Sequence, residues 1–139
     1  MENDESLLIS APNTSGEKFI KQLKRQGVSF SVIVNNRSEY ERMEEIGVAS
    51  IVMVNTNEEK TWLVPDMRID SVYLFEKSLT LCCRYLQICR GWTNKPIYIV
   101  TDSIQPRHVY KGLGANDVIR SHGRDLSCLL ADVKAREAH

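Results

Sequence analysis

The chain has 139 residues, enough for one domain around a single core. It is 42% hydrophobic and 26% charged, which excludes a disordered chain, and 18 basic residues balance 18 acidic ones, so bulk charge gives nucleic-acid binding no support. No apolar run approaches the ~20 residues that cross a bilayer; the acidic start Met1 to Ser6 has neither the positive charge nor the apolar stretch of a secretory signal; and Cys82, Cys83, Cys89 and Cys128 form no Cys-x-x-Cys pair, so the expectation is a cytoplasmic protein with reduced cysteines and no metal centre.

Short apolar runs alternate with segments of helical spacing. Leu7–Ser10 is the first predicted strand, followed by a turn-rich stretch and a helix pattern with Phe19, Ile20 and Leu23 on one face. Ser29–Val34 follows, then a second helix carrying Tyr40, Met43 and Ile46, with Ser38 and Glu41 at the spacing of a capping box. Ser50–Val54 is the third strand. Asn57 to Leu63 reads as a short helix or turn that Pro65 terminates. Ser71–Phe75 leads into a strongly apolar helix from Ser78 to Arg90. Pro96–Thr101, a helix marked by Val109 and Leu113, and a short Asp117–Arg120 come next, and Leu126, Leu129, Leu130 and Val133 mark a last helix. Gly27, Gly47, Gly91 and Gly114 each follow a helical pattern, where a closing glycine is favoured.

Strands that are apolar nearly throughout are buried on both faces, as parallel strands are. Alternation with helices implies right-handed crossovers and helices on both sides. The expected fold is α/β: a doubly wound parallel sheet in the order 3-2-1-4-5 with a short sixth strand, in three α/β/α layers, with residues 1–139 as one Rossmann-like domain.

The opening strand, turn and helix from Leu7 to Gly27 have the layout of a dinucleotide-binding unit. Counted back from Gly27, the positions of a G-x-G-x-x-G loop fall on Ala11, Asn13 and Gly16, so only the last is glycine. Asn13 places a side chain where a pyrophosphate would lie, and Pro12 removes an N–H donor. Thr14 or Ser15 can cap the helix, whose N-terminus favours anions. The second strand ends in Asn35, Asn36 and Arg37 with no carboxylate for a ribose; an arginine there can face a 2′-phosphate.

The stretch from Ile69 to Arg120 holds a strand, a long helix, a strand and a short helix ending in Gly114-Ala115-Asn116, with Val118 and Ile119 behind. This resembles the N-terminal Rossmann domain of RCK proteins, regulators of potassium conductance, also called TrkA-N domains. Gly47-Val48 before the third strand and Asn55-Thr56-Asn57 after it sit where that family has a Gly-Val and a polar turn, and the resemblance runs from about Leu7 to Leu130. It implies a non-catalytic regulatory and assembly domain, a homodimer or larger oligomer, beside a potassium channel or transporter and not inserted in the membrane. It implies NAD(H) or an adenine nucleotide as ligand, if any, held by Ala11, Pro12, Asn13, Thr14, Ser15, Gly16, Asn35, Asn36, Arg37, Asn55, Thr56, Glu76 and Lys77. The family's acidic residues are replaced at Asn35 and Val54, so binding is expected to be weakened or lost.

An NAD(P)-binding oxidoreductase or sensor related to atypical short-chain reductases is the alternative, though no Tyr-x-x-x-Lys pair supports it. A receiver-like domain would need acids around Ala11–Asn13 and Val54–Asn57 that are missing. Asp102 and His108 could pair for acid–base work, and Cys82 with Cys83 for redox work, but neither is accompanied by further catalytic groups. The helix from Ser78 is apolar on more than one face, and Leu81, Tyr85, Ile88 and Trp92 are expected to form a subunit interface.

Overall fold

The computed structural model describes residues 5–102 and 107–120. The expected last helix at Leu126–Val133, like Cys128, lies outside them. In chain order the elements are β1 (Glu5–Ser10), α1 (Thr14–Arg25), β2 (Phe30–Val34), α2 (Arg37–Ile46), β3 (Ile51–Met53), a 3₁₀ turn (Glu59–Thr61), β4 (Arg68–Phe75), α3 (Leu79–Trp92), β5 (Ile97–Thr101), α4 (Arg107–Gly112) and β6 (Asp117–Arg120). All six strands pair in parallel in the order β3-β2-β1-β4-β5-β6. This is the doubly wound sheet the sequence implies.

Side chains of β1 alternate between two cores. Leu7 and Ile9 pack under α1 and α2 with Phe19, Ile20, Leu23 and Met43. Leu8 faces the other side, with Cys82, Tyr85, Leu86 and Tyr110 from α3 and α4. Burial on both faces explains the unbroken apolar runs Leu7–Ile9, Val32–Val34, Val72–Phe75 and Ile97–Val100 within the strands.

Three helices end in the same way. After α1, Gly27 turns left-handed (φ 72°), its N–H bonding to Lys24 and that of Val28 to Leu23. Gly47 and Gly114 repeat the pattern after α2 and α4. Each closure leaves an apolar residue behind the glycine (Val28, Val48, Ala115) that is buried in the core. Gly91 does not close a helix. It lies within the last turn of α3, which runs on to Trp92 and ends where Thr93 becomes extended.

Arg90, on that last turn, fastens three segments. Its guanidinium donates to the carbonyls of Thr93 and Lys95 and to the Gly114 carbonyl (2.7 Å), and reaches the Asn116 side chain. The end of α3, the start of β5 and the turn before β6 are thereby held together.

The apolar excess of α3 has an internal cause. Tyr85 and Ile88, expected at a subunit interface, are 1% and 2% exposed within the domain itself. The connection from β3 must pass back over β2 and β1 to reach β4, and it carries Trp62 and Met67 onto this face. Trp92 Nε1 donates to the Trp62 carbonyl at 3.2 Å, and Leu81 and Trp92 are partly covered by the same core. The residues exposed along α3 are Leu79, Thr80, Arg84, Gln87 and Gly91, mostly without large apolar side chains. The packing of Tyr85 and Ile88 is thus intradomain.

Ile88→Asp is accordingly expected to unfold the domain and not to separate subunits. An unpaired buried carboxylate costs about 4 kcal/mol or more, a large share of a typical domain's stability. Circular dichroism melting checks this. A folded Ile88→Asp chain with a wild-type melting temperature would contradict the packing.

Candidate functional site

In a sheet of this order, β1 and β4 are neighbours whose following segments leave for opposite faces, which opens a crevice beyond their carboxyl ends. The loop after β1 forms one wall. Gly16, in the first turn of α1, lies so close to β1 that an added Cβ would come within 2.8 Å of Ala11 and 3.1 Å of Phe75. That is the packing role of the last glycine in a dinucleotide loop. Among the described residues no non-glycine has positive φ, so the turn at Ala11 to Asn13 is made with ordinary backbone angles.

Asn13 is the N-cap of α1, a role expected of Thr14 or Ser15, which instead begin the helix. Its Oδ1 accepts from the Gly16 N–H at 2.8 Å, and its Nδ2 donates to the Glu76 carbonyl at 2.8 Å. One side chain therefore joins the loop after β1 to the end of β4, straight across the crevice. Glu76 is itself fixed. Its N–H bonds to Val100, and its carboxylate accepts from Thr101 Oγ1 and from the hydroxyl of the buried Tyr110. Burial and this carboxylate push the Tyr110 phenol well above its ordinary range, so it stays a donor.

The β2 side of the loop is open. A cavity of about 330 Å³ lies between the loop after β1, the end of β2 and the first turns of α2. Ala11, Pro12 and Lys77 line it, as do Val34 and Met43. Asn36, not Ser38, caps α2, its Oδ1 accepting from the Glu39 N–H at 2.8 Å. The Glu39 carboxylate turns back to the end of β2, where Oε1 accepts from the Asn35 N–H (3.2 Å) and from Tyr85 Oη (3.4 Å). Burial, then the Glu39 charge, hold the Tyr85 phenol protonated. A carboxylate thus lies at the end of β2 although neither Asn35 nor Asn36 supplies one.

Glu17 and Arg42 also line the cavity and bind each other through two bonds, 2.8 and 3.1 Å. The hydrogen bond from Arg42 draws the Glu17 carboxyl below its ordinary pKa, so the pair is charged at neutral pH.

Other expected site residues lie elsewhere. Arg37 is largely exposed and pairs with Glu41 along α2 at 3.4 Å. Asn55 organises its own turn, accepting from Trp62 Nε1 (2.7 Å) and bonding Glu58 and Asn57, and neither it nor Thr56 lines the cavity. Asp102 and His108 are both exposed. Among the described residues no cluster of His, Cys, Asp and Glu could hold a metal, and no helix is long and apolar enough to cross a membrane. Ser10, Glu17, Glu39 and Arg42 line the cavity without having been marked as ligand residues.

No family model and no curated protein matches the sequence. Solved structures do match. A GsuK channel bound to NAD superposes with a TM-score of 0.69 at 17% identity, over 85% of this chain. The fold is that of RCK and TrkA-N domains. The NAD(P)-binding domain of an exopolyphosphatase-related protein from Archaeoglobus fulgidus matches with a TM-score of 0.68 at 14% identity, over 94% of this chain and 98% of that one. The TrkA-N domain of the inner membrane protein ybaL from Escherichia coli does so at 0.68 and 14%, over 96% and 98%. The chain therefore spans the whole of such an isolated domain but only 22% of the GsuK channel chain.

Among the described cysteines, Cys82 and Cys89 are buried in the core and Cys83 is half-buried. Burial pushes the Cys82 and Cys89 thiols up to about 12, and that of Cys83 upward. A thiol needs its thiolate form to react. At about pH 8, Cys82 and Cys89 are expected to resist iodoacetamide in the native protein and to react readily once guanidinium unfolds it. Peptide mass spectrometry reads the outcome; rapid native labelling of Cys89 would contradict this burial.

Proposed function

We propose that this chain is a non-catalytic regulatory domain of the RCK type, cytoplasmic, acting in an assembly of like domains beside a membrane potassium channel or transporter, with dinucleotide binding weakened or lost. The fold supports the class. The bridge made by Asn13 carries the reading of the ligand. In an intact dinucleotide site the backbone near the second glycine lies open to the pyrophosphate, and helix N–H groups point at it. Here the Gly16 N–H is already bonded to Asn13 Oδ1, and the same side chain closes the way to Glu76. Displacing it would break two hydrogen bonds at the crevice, each worth about 0.5–1.5 kcal/mol net.

The closed half of the crevice also weighs against the reductase alternative. A hydride donor must lie over the ends of β4 and β5, where Glu76 is committed to Thr101 and Tyr110. A regulatory domain has no such requirement.

Isothermal titration with NAD and NADH tests the ligand reading. The wild-type chain is expected to give no saturable binding in the micromolar range. Asn13→Gly should gain affinity while losing a few tenths of a kcal/mol as an N-cap and about 0.5–1.5 kcal/mol for the bond to the Glu76 carbonyl. Micromolar or tighter NAD binding by the wild type would overturn the proposal.

A further inference from the structure

We propose that a second cavity, at the amino ends of β2 and β3, binds a small monocarboxylate with an apolar tail, and that Lys24 receives the carboxylate. This site lies at the far end of these strands from the crevice and is independent of the reading above.

The cavity has a volume of about 440 Å³, within the range of ligand pockets. The glycine turns that close α1 and α2 form one side of it, and the starts of β2 and β3 form the other. It arises from those two turns and not from the reversal of strand order that opens the crevice.

The first argument is that Lys24 is held in place. Its Nζ donates to the Ile46 carbonyl at 3.0 Å, across the end of α2. A Cβ at Gly47 would collide with that nitrogen, so the glycine that turns left-handed (φ 95°) also clears the space for the ammonium. An ammonium carries three N–H donors, and this contact uses one.

The second argument is a surplus of donors. Ser29 and Ser50 line the cavity, each paired with another serine: Ser29 with Ser6 at 2.7 Å and Ser50 with Ser31 at 2.6 Å. Each pair uses one of its two hydroxyl hydrogens and keeps the other to donate. The carbonyls at the helix ends are already taken. Those of Leu23, Lys24, Met43 and Glu44 accept from backbone N–H groups, and that of Ile46 accepts from Lys24. Among the described residues lining the cavity there is no carboxylate, and Lys24 carries the one charge. The helix dipoles oppose an anion here, but a direct hydrogen bond to an ammonium outweighs them.

The third argument is the apolar part of the lining, Val28, Phe30 and Ala49. An inorganic anion would leave these side chains unused. A carboxylate with a short hydrocarbon tail engages both parts of the lining.

The test is titration of the ¹⁵N-labelled whole chain with hexanoate, acetate and hexanol at constant ionic strength, repeated with hexanoate on Lys24→Gln. Hexanoate is expected to shift the amides of Gly27, Gly47 and Ala49 saturably. Hexanol should bind at least about tenfold more weakly, for want of the charged hydrogen bond. Acetate should also be at least about tenfold weaker, for want of the tail. Lys24→Gln, whose spectrum shows whether it is folded, should weaken hexanoate by about tenfold or more. No saturable shift at these amides overturns the proposal. So does equal affinity for hexanoate and either hexanol or acetate, and those arms need no variant. A folded Lys24→Gln chain with unchanged affinity for hexanoate overturns it as well.

Discussion

The arrangement of the site follows from the pairing of β1 with β4. These strands lie side by side, yet the segments after them leave for opposite faces of the sheet. Polar backbone at the two carboxyl ends is therefore left facing a gap. Many proteins of this architecture fill the gap with a ligand's phosphates. This chain places Asn13 there, which caps α1 with its carbonyl and satisfies the Glu76 carbonyl with its amide. One side chain thus serves helix capping and strand-end satisfaction together.

From that closure the chemistry divides in two. Toward β4 and β5, Glu76 is locked by Thr101 and Tyr110 and its backbone by Val100 and Asn13. This half is a half-buried, satisfied polar network, which rigidifies a structure and offers little to a ligand. Toward β2, polar side chains on α1 and α2 meet around an open cavity. That second half leaves room for a small ligand.

Much of the fold was legible in the sequence, because its signals are local. Nearly continuous apolar runs marked the strands, and Gly27, Gly47 and Gly114 marked helix ends where the backbone must turn left-handed. Asn13 was legible as an obstruction but not as a cap, since its partner Glu76 lies 63 residues away in sequence. At α2 the expected Ser38–Glu41 box gives way to Asn36 as N-cap, since asparagine caps as well as serine does and Glu39 from the same turn ties back to the end of β2. Tyr85 and Ile88 were misplaced for a non-local reason. A helix pattern cannot show that the β3–β4 connection will cross its face with Trp62 and Met67. Arg90 gave no signal at all, because its acceptors are backbone carbonyls that any residue provides.

The central claim is that Asn13, and not a dinucleotide, occupies the crevice, and the amide of Gly16 reports on it most directly. In a ¹⁵N-labelled sample, hydrogen exchange and chemical shift of that amide can be followed as NAD is added to millimolar concentration. The account predicts a protected Gly16 amide whose resonance does not move. A Gly16 amide that exchanges freely in the unliganded protein, or that shifts and saturates with NAD, would contradict it.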